Sequence, residues 1–319
     1  MADRIPFILD CDPGHDDALA LVVGLARPEL RLLAVTTVAG NAGLPETTRN
    51  ALRVLTLLGR TDIPVAAGAV GPLLRPLHVA DNVHGASGLE GADLPDPAFA
   101  PRPEGAIELI RTVLEASPEP VTIAAVGPLT NIALLVRMYP ELVERIASIR
   151  VMGGAITEGN STASAEFNIW QDPEAARIVF DCGRPVTLMT LDTTHQALFR
   201  AADVERLERL GTRVATVFAD LLRFFGRFHA QRYGWDGSPI HDAVTVAHLA
   251  MPDLVRTVPY RVDVETTSEL TRGRTVVDLY AQTGRPPNVD VGREIDRERF
   301  VDLLIDAVAA VGTVEAGAR

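Results

Sequence analysis

A chain of 319 residues, 47% hydrophobic, has enough apolar material for a large core, while a formal net charge of −12 is the wrong sign for gripping a phosphate backbone and excludes nucleic acid as a partner. All 30 of its Lys+Arg cations are arginine, so neither a Walker-type lysine nor a Schiff-base lysine is available. No apolar run approaches the roughly 20 residues of a membrane span, and Met1 to Pro6 lacks a signal-peptide pattern, so a cytoplasmic protein that acts on small molecules is expected.

Ile5 to Leu9 reads as a buried strand and Ala18 to Val23 as a helix, with Pro13-Gly14 marking a tight turn between them. The connecting stretch, Asp10-Cys11-Asp12-Pro13-Gly14-His15-Asp16-Asp17, packs four carboxylates into one strand-to-helix loop. Loops at the carboxyl ends of strands in open α/β sheets are where ligands bind. Crowded carboxylates raise one another's pKa values, and a hard divalent cation with oxygen ligands removes that repulsion. An Asp cap with acids in the first helical turn accounts for one or two of them, but not for Asp10 and Asp12 ahead of the turn. Cys11 and Cys182 form no disulfide framework, and Cys11 reads as a small buried hydrophobe whose thiolate the acidic loop disfavours.

Further along, Arg31 to Val38 is a second strand ending in the small-residue loop Ala39-Gly40-Asn41-Ala42-Gly43, and Pro45 to Leu58 is a helix. Ile63 to Ala67 is a short strand, and Gly68 to Pro103 is a long Pro/Gly-rich loop of the kind that usually has a function. Strands at Val121 to Val126, Ile146 to Met152 and Pro185 to Thr190 alternate with helices at Glu104 to Ala116, Thr130 to Met138 and after Asp172-Pro173, where Asp172 is the N-cap. Ala201 to Arg232 is helical with a turn near Gly211, and its stripe of Phe218, Leu221, Leu222, Phe225 and Phe228 reads as core. A helix starts at His241-Asp242, Val258 to Glu265 and Arg274 to Tyr280 form a closing antiparallel pair, and Arg297 to Val311 is a final helix with a frayed tail.

Repeated strand–helix units predict an α/β, Rossmann-like single domain over residues 1–319. Its central sheet is mostly parallel, with helices on both faces and a small antiparallel extension near the C-terminus. Asn41, Thr130-Asn131, Asn160 and Asp192 then converge with the acidic loop on one rim. If Glu166-Phe167-Asn168 is extended, Glu166 and Asn168 point to the same side, a pair suited to sugar hydroxyls. A phosphohydrolase using Asp10-Cys11-Asp12 as an Asp-x-Asp motif expects a nearby hydroxyl residue and a lysine, and the chain has Pro13-Gly14 and no lysine. A non-catalytic sugar binder using the same pocket is the other alternative.

The acidic loop resembles the signature of the inosine–uridine-preferring nucleoside hydrolases. The likeness runs in order through Ala39-Gly40-Asn41, Asn82-Val83-His84-Gly85, Gly127 to Asn131, Met152-Gly153-Gly154, Ala165 to Asn168, His241-Asp242-Ala243 and Thr275 to Asp278. The pyrimidine-specific ribonucleoside branch is the most similar, with purine or broad base preference as the alternative. The resemblance implies hydrolysis of the N-glycosidic bond of uridine or cytidine for salvage or catabolism, in a homotetramer or dimer. It implies one calcium held by Asp10, Asp12, Asp17, Asp242 and the Thr130 carbonyl, with Asp10 either a ligand or a support behind the others. It also implies a water nucleophile that gives its proton to Asp12, a base that a non-catalytic ribose or nucleoside binder with the same pocket does not need. Asp16, Asn41, Asn160, Glu166 and Asn168 are then expected at the ribose, His229 and Tyr233 at the base, and His241 with His84 at the leaving group. The loop around His84 and the segment around Tyr233 are the expected lids.

Overall fold

In the computed structural model, which describes residues 4–312, the predicted alternation of strands and helices holds through the first two-thirds of the chain. β1 (Ile5–Cys11), α1 (His15–Ala26), β2 (Leu30–Thr37), α2 (Leu44–Leu57) and β3 (Val65–Ala67) come first. One turn of helix, α3 (Asp81–His84), interrupts the long loop before α4 (Ala106–Ala116), β4 (Val121–Ala125), α5 (Thr130–Met138) and β5 (Ile146–Met152). Then follow α6 (Phe167–Gln171), α7 (Pro173–Phe180), β6 (Val186–Met189), α8 (Leu191–Thr194), β7 (Leu198–Phe199), α9 (Ala201–Glu208) and α10 (Arg213–Tyr233). The chain closes with β8 (Ser238–Pro239), α11 (His241–Ala250), β9 (Val255–Val264), β10 (Thr275–Asp278), β11 (Val289–Ile295) and α12 (Arg297–Gly312). The tail predicted to fray after α12 lies outside the described residues.

Nine strands form one sheet in the order β10-β9-β11-β6-β5-β4-β1-β2-β3. β11 through β3 run parallel, and β9 and β10 are antiparallel additions at one edge. β7 and β8 make a separate two-stranded ribbon. The β9–β10 pair matches the predicted antiparallel extension, but β11 was not foreseen. Asp290, Arg293 and Glu294 around Gly292 hide its strand pattern, and the strand inserts between β6 and β9 with Val289 and Val291 buried. Gly211, at φ 66°, separates α9 from α10 as expected, and the Thr212 hydroxyl caps α10 by accepting from Ala215 N–H.

Period-2 alternation puts Phe7, Leu9 and Cys11 of β1 into one core with α1, α2, α10, α11 and α12, and Ile8 into the other with α4, α5 and α7. Helices therefore cover both faces. β1 sits between β2 and β4, whose connections leave in opposite directions along the sheet. The carboxyl end of β1 is thus a topological switch point, where an open α/β sheet has its crevice. Among the described residues, no helix is long and apolar enough to cross a membrane.

Leu188 of β6 is fully buried between β5 and β11, whereas Tyr280 is 82% exposed. Leu188→Ala should cost about 2–5 kcal/mol in urea unfolding and Tyr280→Ala less than about 0.5 kcal/mol. Equal effects would contradict this placement of the core.

Candidate active site

The loop after β1 turns back through Pro13-Gly14 and starts α1. Asp17, in the first turn of that helix, accepts from Gly14 N–H at 2.9 Å and from Asp12 N–H at 3.1 Å. This is the acid half of a capping box, so the capping reading holds for Asp17. The Asp17 carboxylate also takes the Asn41 side-chain N–H at 3.3 Å. Asn41, from the loop after β2, donates its backbone N–H to Asp12 Oδ2 at 2.7 Å and its side-chain N–H to the Asp12 carbonyl at 3.1 Å. Asp12 is enclosed by two glycines. A Cβ on Gly127 would stand 2.6 Å from Asp12 Oδ1, and one on Gly40 would collide with Oδ2.

Asp242, at the start of α11, brings in an acid from the far end of the chain. One oxygen each from Asp16, Asp17 and Asp242 lie within 4.8 Å of one another, and the Asp17 and Asp242 side chains are in hydrogen-bond contact. Burial is the main force raising the pKa of every acid here. Asp16 is pushed to about 7, Asp12 and Asp242 well above the carboxylate range, and Asp17 upward, with repulsion among these acids adding to it at Asp12, Asp16 and Asp242. Among the described residues no arginine pairs with any of them. The donor set is all oxygen, buried and lacking a counter-charge, which fits a hard divalent cation and not zinc.

Asp10 stands apart from that group. Its Oδ1 accepts from the Thr36 hydroxyl at 2.5 Å and from Asn131 at 2.8 Å, its Oδ2 has no partner, and burial raises its pKa to about 7. The Thr130 hydroxyl donates to Asp172 at 2.7 Å, tying the start of α5 to the cap of α7. Asp16, expected at the sugar, lies in the three-carboxylate group as well.

Glu166 corrects the extended reading of its segment. It is the N-cap of α6, so Phe167 and Asn168 are already helical and the three side chains do not alternate. The Glu166 carboxylate accepts from Gly154 N–H at 2.8 Å, Asn168 N–H at 2.9 Å and Ile169 N–H at 3.1 Å. Burial still raises its pKa to about 7. The Asn168 amide donates to the Val126 carbonyl at 2.7 Å and to the Met152 carbonyl at 3.2 Å, leaving its Oδ1 as the acceptor free for a ligand. Exposed Asn160 is fixed at the rim by accepting from Phe167 N–H at 2.9 Å.

These side chains border a cavity of about 480 Å³, the size of a small-ligand site. Asp12, Asp16, Asp242, Asn41, Glu166 and Asn168 form its polar floor. Much of the remaining lining is aromatic, from His84, His229, Tyr233 and His241 together with Phe225, Phe228, His195 and Trp235. Phe225 and Phe228 correct the reading of their stripe as core alone. His229 stacks on Tyr233 with ring centroids 6.1 Å apart, as their one-turn spacing predicts, and on Trp235 at 6.0 Å. His84 is held by His15, whose Nδ1 lies 2.9 Å from His84 Nδ1 while its Nε2 bonds the Glu90 carbonyl at 2.8 Å. Burial drives the pKa values of His84 and His241 well below the imidazole range, so both rings are neutral.

Two predicted rim residues face elsewhere. Asp192 accepts from Ile156 N–H at 2.6 Å and the Thr157 hydroxyl at 2.7 Å, and Asn131 serves Asp10 and the Thr37 carbonyl. His195 and Trp235 were missed. His195 follows the end of β6, where the carboxyl-end rule that singled out Asp192 also points. Cys11 is fully buried with its pKa raised, as expected.

The family described as inosine-uridine preferring nucleoside hydrolase matches residues 7–302. A pyrimidine-specific ribonucleoside hydrolase RihA of Citrobacter koseri is 53% identical over 306 residues, covering 96% of this chain and 98% of that protein. Among solved structures, a purine-preferring ribonucleoside hydrolase from Gardnerella vaginalis superposes with a TM-score of 0.91 at 30% identity, covering 97% of this chain and 99% of that one. A plant nucleoside hydrolase gives a TM-score of 0.89 at 33% identity over 96% of this chain and 99% of that one.

Asp10, Asp16 and Glu166 have folded pKa values of about 7, against roughly 4 for unfolded carboxylates. Their protons favour the folded state most below about pH 4, and that contribution is lost as pH rises through about 7. Chelator-treated protein should therefore melt lower at about pH 8 than at about pH 6. Calcium at about 100 times Kd should add about 2.7 kcal/mol, with the larger Tm gain at the higher pH. A melting temperature indifferent to calcium at both pH values would contradict the cation reading.

Proposed function

This chain belongs to the inosine-uridine preferring nucleoside hydrolase family and is thus a ribonucleoside N-glycosyl hydrolase, and from that premise we propose a calcium-dependent enzyme that splits uridine and cytidine into ribose and free base. The observation that carries the cation is the group of Asp16, Asp17 and Asp242, buried together with no cationic side chain paired to them among the described residues. Asp17 and Asp242, with Asp12 and the Thr130 carbonyl, would hold it, and Asp10 would brace the site from behind through Thr36 and Asn131. A calcium ion bound there supplies Lewis-acid chemistry, polarising its oxygen ligands and making water more acidic.

The chain's own residues do the rest. Asp12 takes the proton of the attacking water, and the backbone N–H of Asn41, 2.7 Å from its Oδ2, aims that carboxylate. The Oδ1 of Asn168 accepts a ribose hydroxyl because both of its amide N–H groups are spent on main-chain carbonyls. Glu166 offers the unused lone pairs of a carboxylate fixed by three N–H donors, with Asp16, Asn41 and Asn160 beside it. A floor of fixed negative groups favours the oxocarbenium-like transition state over the neutral substrate. His241, as a neutral ring, donates a hydrogen bond to the departing base from Nε2, its Nδ1 accepting from the Thr194 hydroxyl. His84 lies beside it, its own proton given through Nδ1 to His15, whose Nε2 bonds the Glu90 carbonyl. His229 and Tyr233 flank that base.

The pyrimidine preference is supported by the 53% identity to a pyrimidine-specific relative, against 30% to a purine-preferring one. A panel of uridine, cytidine and inosine tests it, with ribose release expected from the first two and inosine slower. Activity should vanish on chelation and return with calcium. Asp12→Asn should need more calcium than wild type and, at saturating calcium, should lower kcat on uridine by about 100-fold to 10,000-fold. Wild-type turnover by that variant would remove Asp12 as the base.

A further inference from the structure

The aromatic wall carries the imidazoles of His84, His195, His229 and His241. Three of them are tethered through Nδ1. His84 meets His15 at 2.9 Å, His229 donates to the Phe225 carbonyl at 3.0 Å, and His241 meets the Thr194 hydroxyl at 2.7 Å. A carbonyl only accepts, so His229 keeps its proton on Nδ1 and offers Nε2 as an acceptor alone. His195 differs. Among the described residues neither of its ring nitrogens has a hydrogen-bond partner, and packing alone holds the ring. It stands edge-on to Trp235 at 4.9 Å and to His241 at 5.7 Å, while its backbone N–H donates to the Leu191 carbonyl at 2.8 Å and fixes its position after α8. Burial lowers its pKa although Asp192 and Glu158 oppose this, so the ring is neutral, with one donor and one acceptor.

The chemistry of the substrate defines what such a ring is good for. With ribose on the acidic floor, the edge of a pyrimidine remote from the glycosidic nitrogen extends toward the histidine wall. Uracil presents a 4-carbonyl acceptor there, and cytosine presents a 4-amino donor. A ring locked by an acceptor, as His229 is by the Phe225 carbonyl, satisfies one of these and leaves the other facing a like group, which costs affinity, and His241 exchanges its proton only if the Thr194 hydroxyl turns with it. An untethered one satisfies either by losing the proton from one nitrogen and taking one up on the other.

We infer that His195 contacts the nucleobase at its 4-position and that its free imidazole lets one pocket accept uracil and cytosine alike. The inference rests on the pyrimidine reading above. The test measures kcat/KM for wild type, His195→Ala and His195→Asn on uridine, cytidine and the riboside of pyrimidin-2-one, which lacks the 4-substituent. His195→Ala should lose about tenfold on uridine and on cytidine, with less than about threefold change on the pyrimidin-2-one riboside. His195→Asn, whose amide turns either a donor or an acceptor to the base, should recover part of the loss on both. Each protein is compared with itself across substrates, so an unfolded fraction cancels. Should His195→Ala fail to fold, His195→Phe keeps the ring against Trp235 without the nitrogens and should give the same ratios. Equal loss on all three substrates, or no loss, overturns the inference. Wild-type protein that releases ribose from none of them overturns the function beneath it, and the inference with it.

Discussion

Carboxylates buried against one another without a counter-charge govern this molecule. Asp12, Asp16, Asp17 and Asp242 are each no more than 5% exposed, the sequence has no lysine, and among the described residues no paired arginine offsets them. Burying unpaired like charges is among the costlier arrangements in a protein, and it persists only with protons or a cation in their midst. The same concentration of negative charge suits a reaction in which the sugar becomes positive. One electrostatic constraint thus links the stability of the fold to the chemistry of the site.

The topology explains how acids so far apart in sequence come together. β1 and its loop sit at the switch point of the sheet, so the first acids emerge where the crevice opens. α11 packs against α1, which sets the start of one helix beside the start of the other and places Asp242 next to Asp17. Small residues make room, since Gly40 and Gly127 approach Asp12 too closely for any side chain. Much of the aromatic lining comes from α10, whose stripe serves the core through Phe218 and the cavity through Phe228.

Much of this was legible in the sequence because the strongest signals are local. A strand, a Pro-Gly turn and a run of acids at a helix start announce themselves within a few residues, as does Asp172-Pro173 at the head of α7. The misreadings arise where tertiary context decides. Glu166 turns out to cap a short helix, a role set by Gly154 and Ile169 as much as by its neighbours. β11 carries too many charges to read as a strand until β6 and β9 are placed on either side of it. Asp192 in α8 and His195 at the end of that short helix face different ways, which spacing alone does not resolve.

The central claim is that one hard cation sits among these acids and holds the sugar's vicinal hydroxyls. Crystals grown with calcium and ribose test it most directly through the anomalous difference map. The account predicts a single strong peak at calcium–oxygen distance, about 2.3–2.6 Å, from Asp17, Asp242 and both ribose hydroxyls. Ribose bound in the cavity with no peak between it and those carboxylates would contradict it.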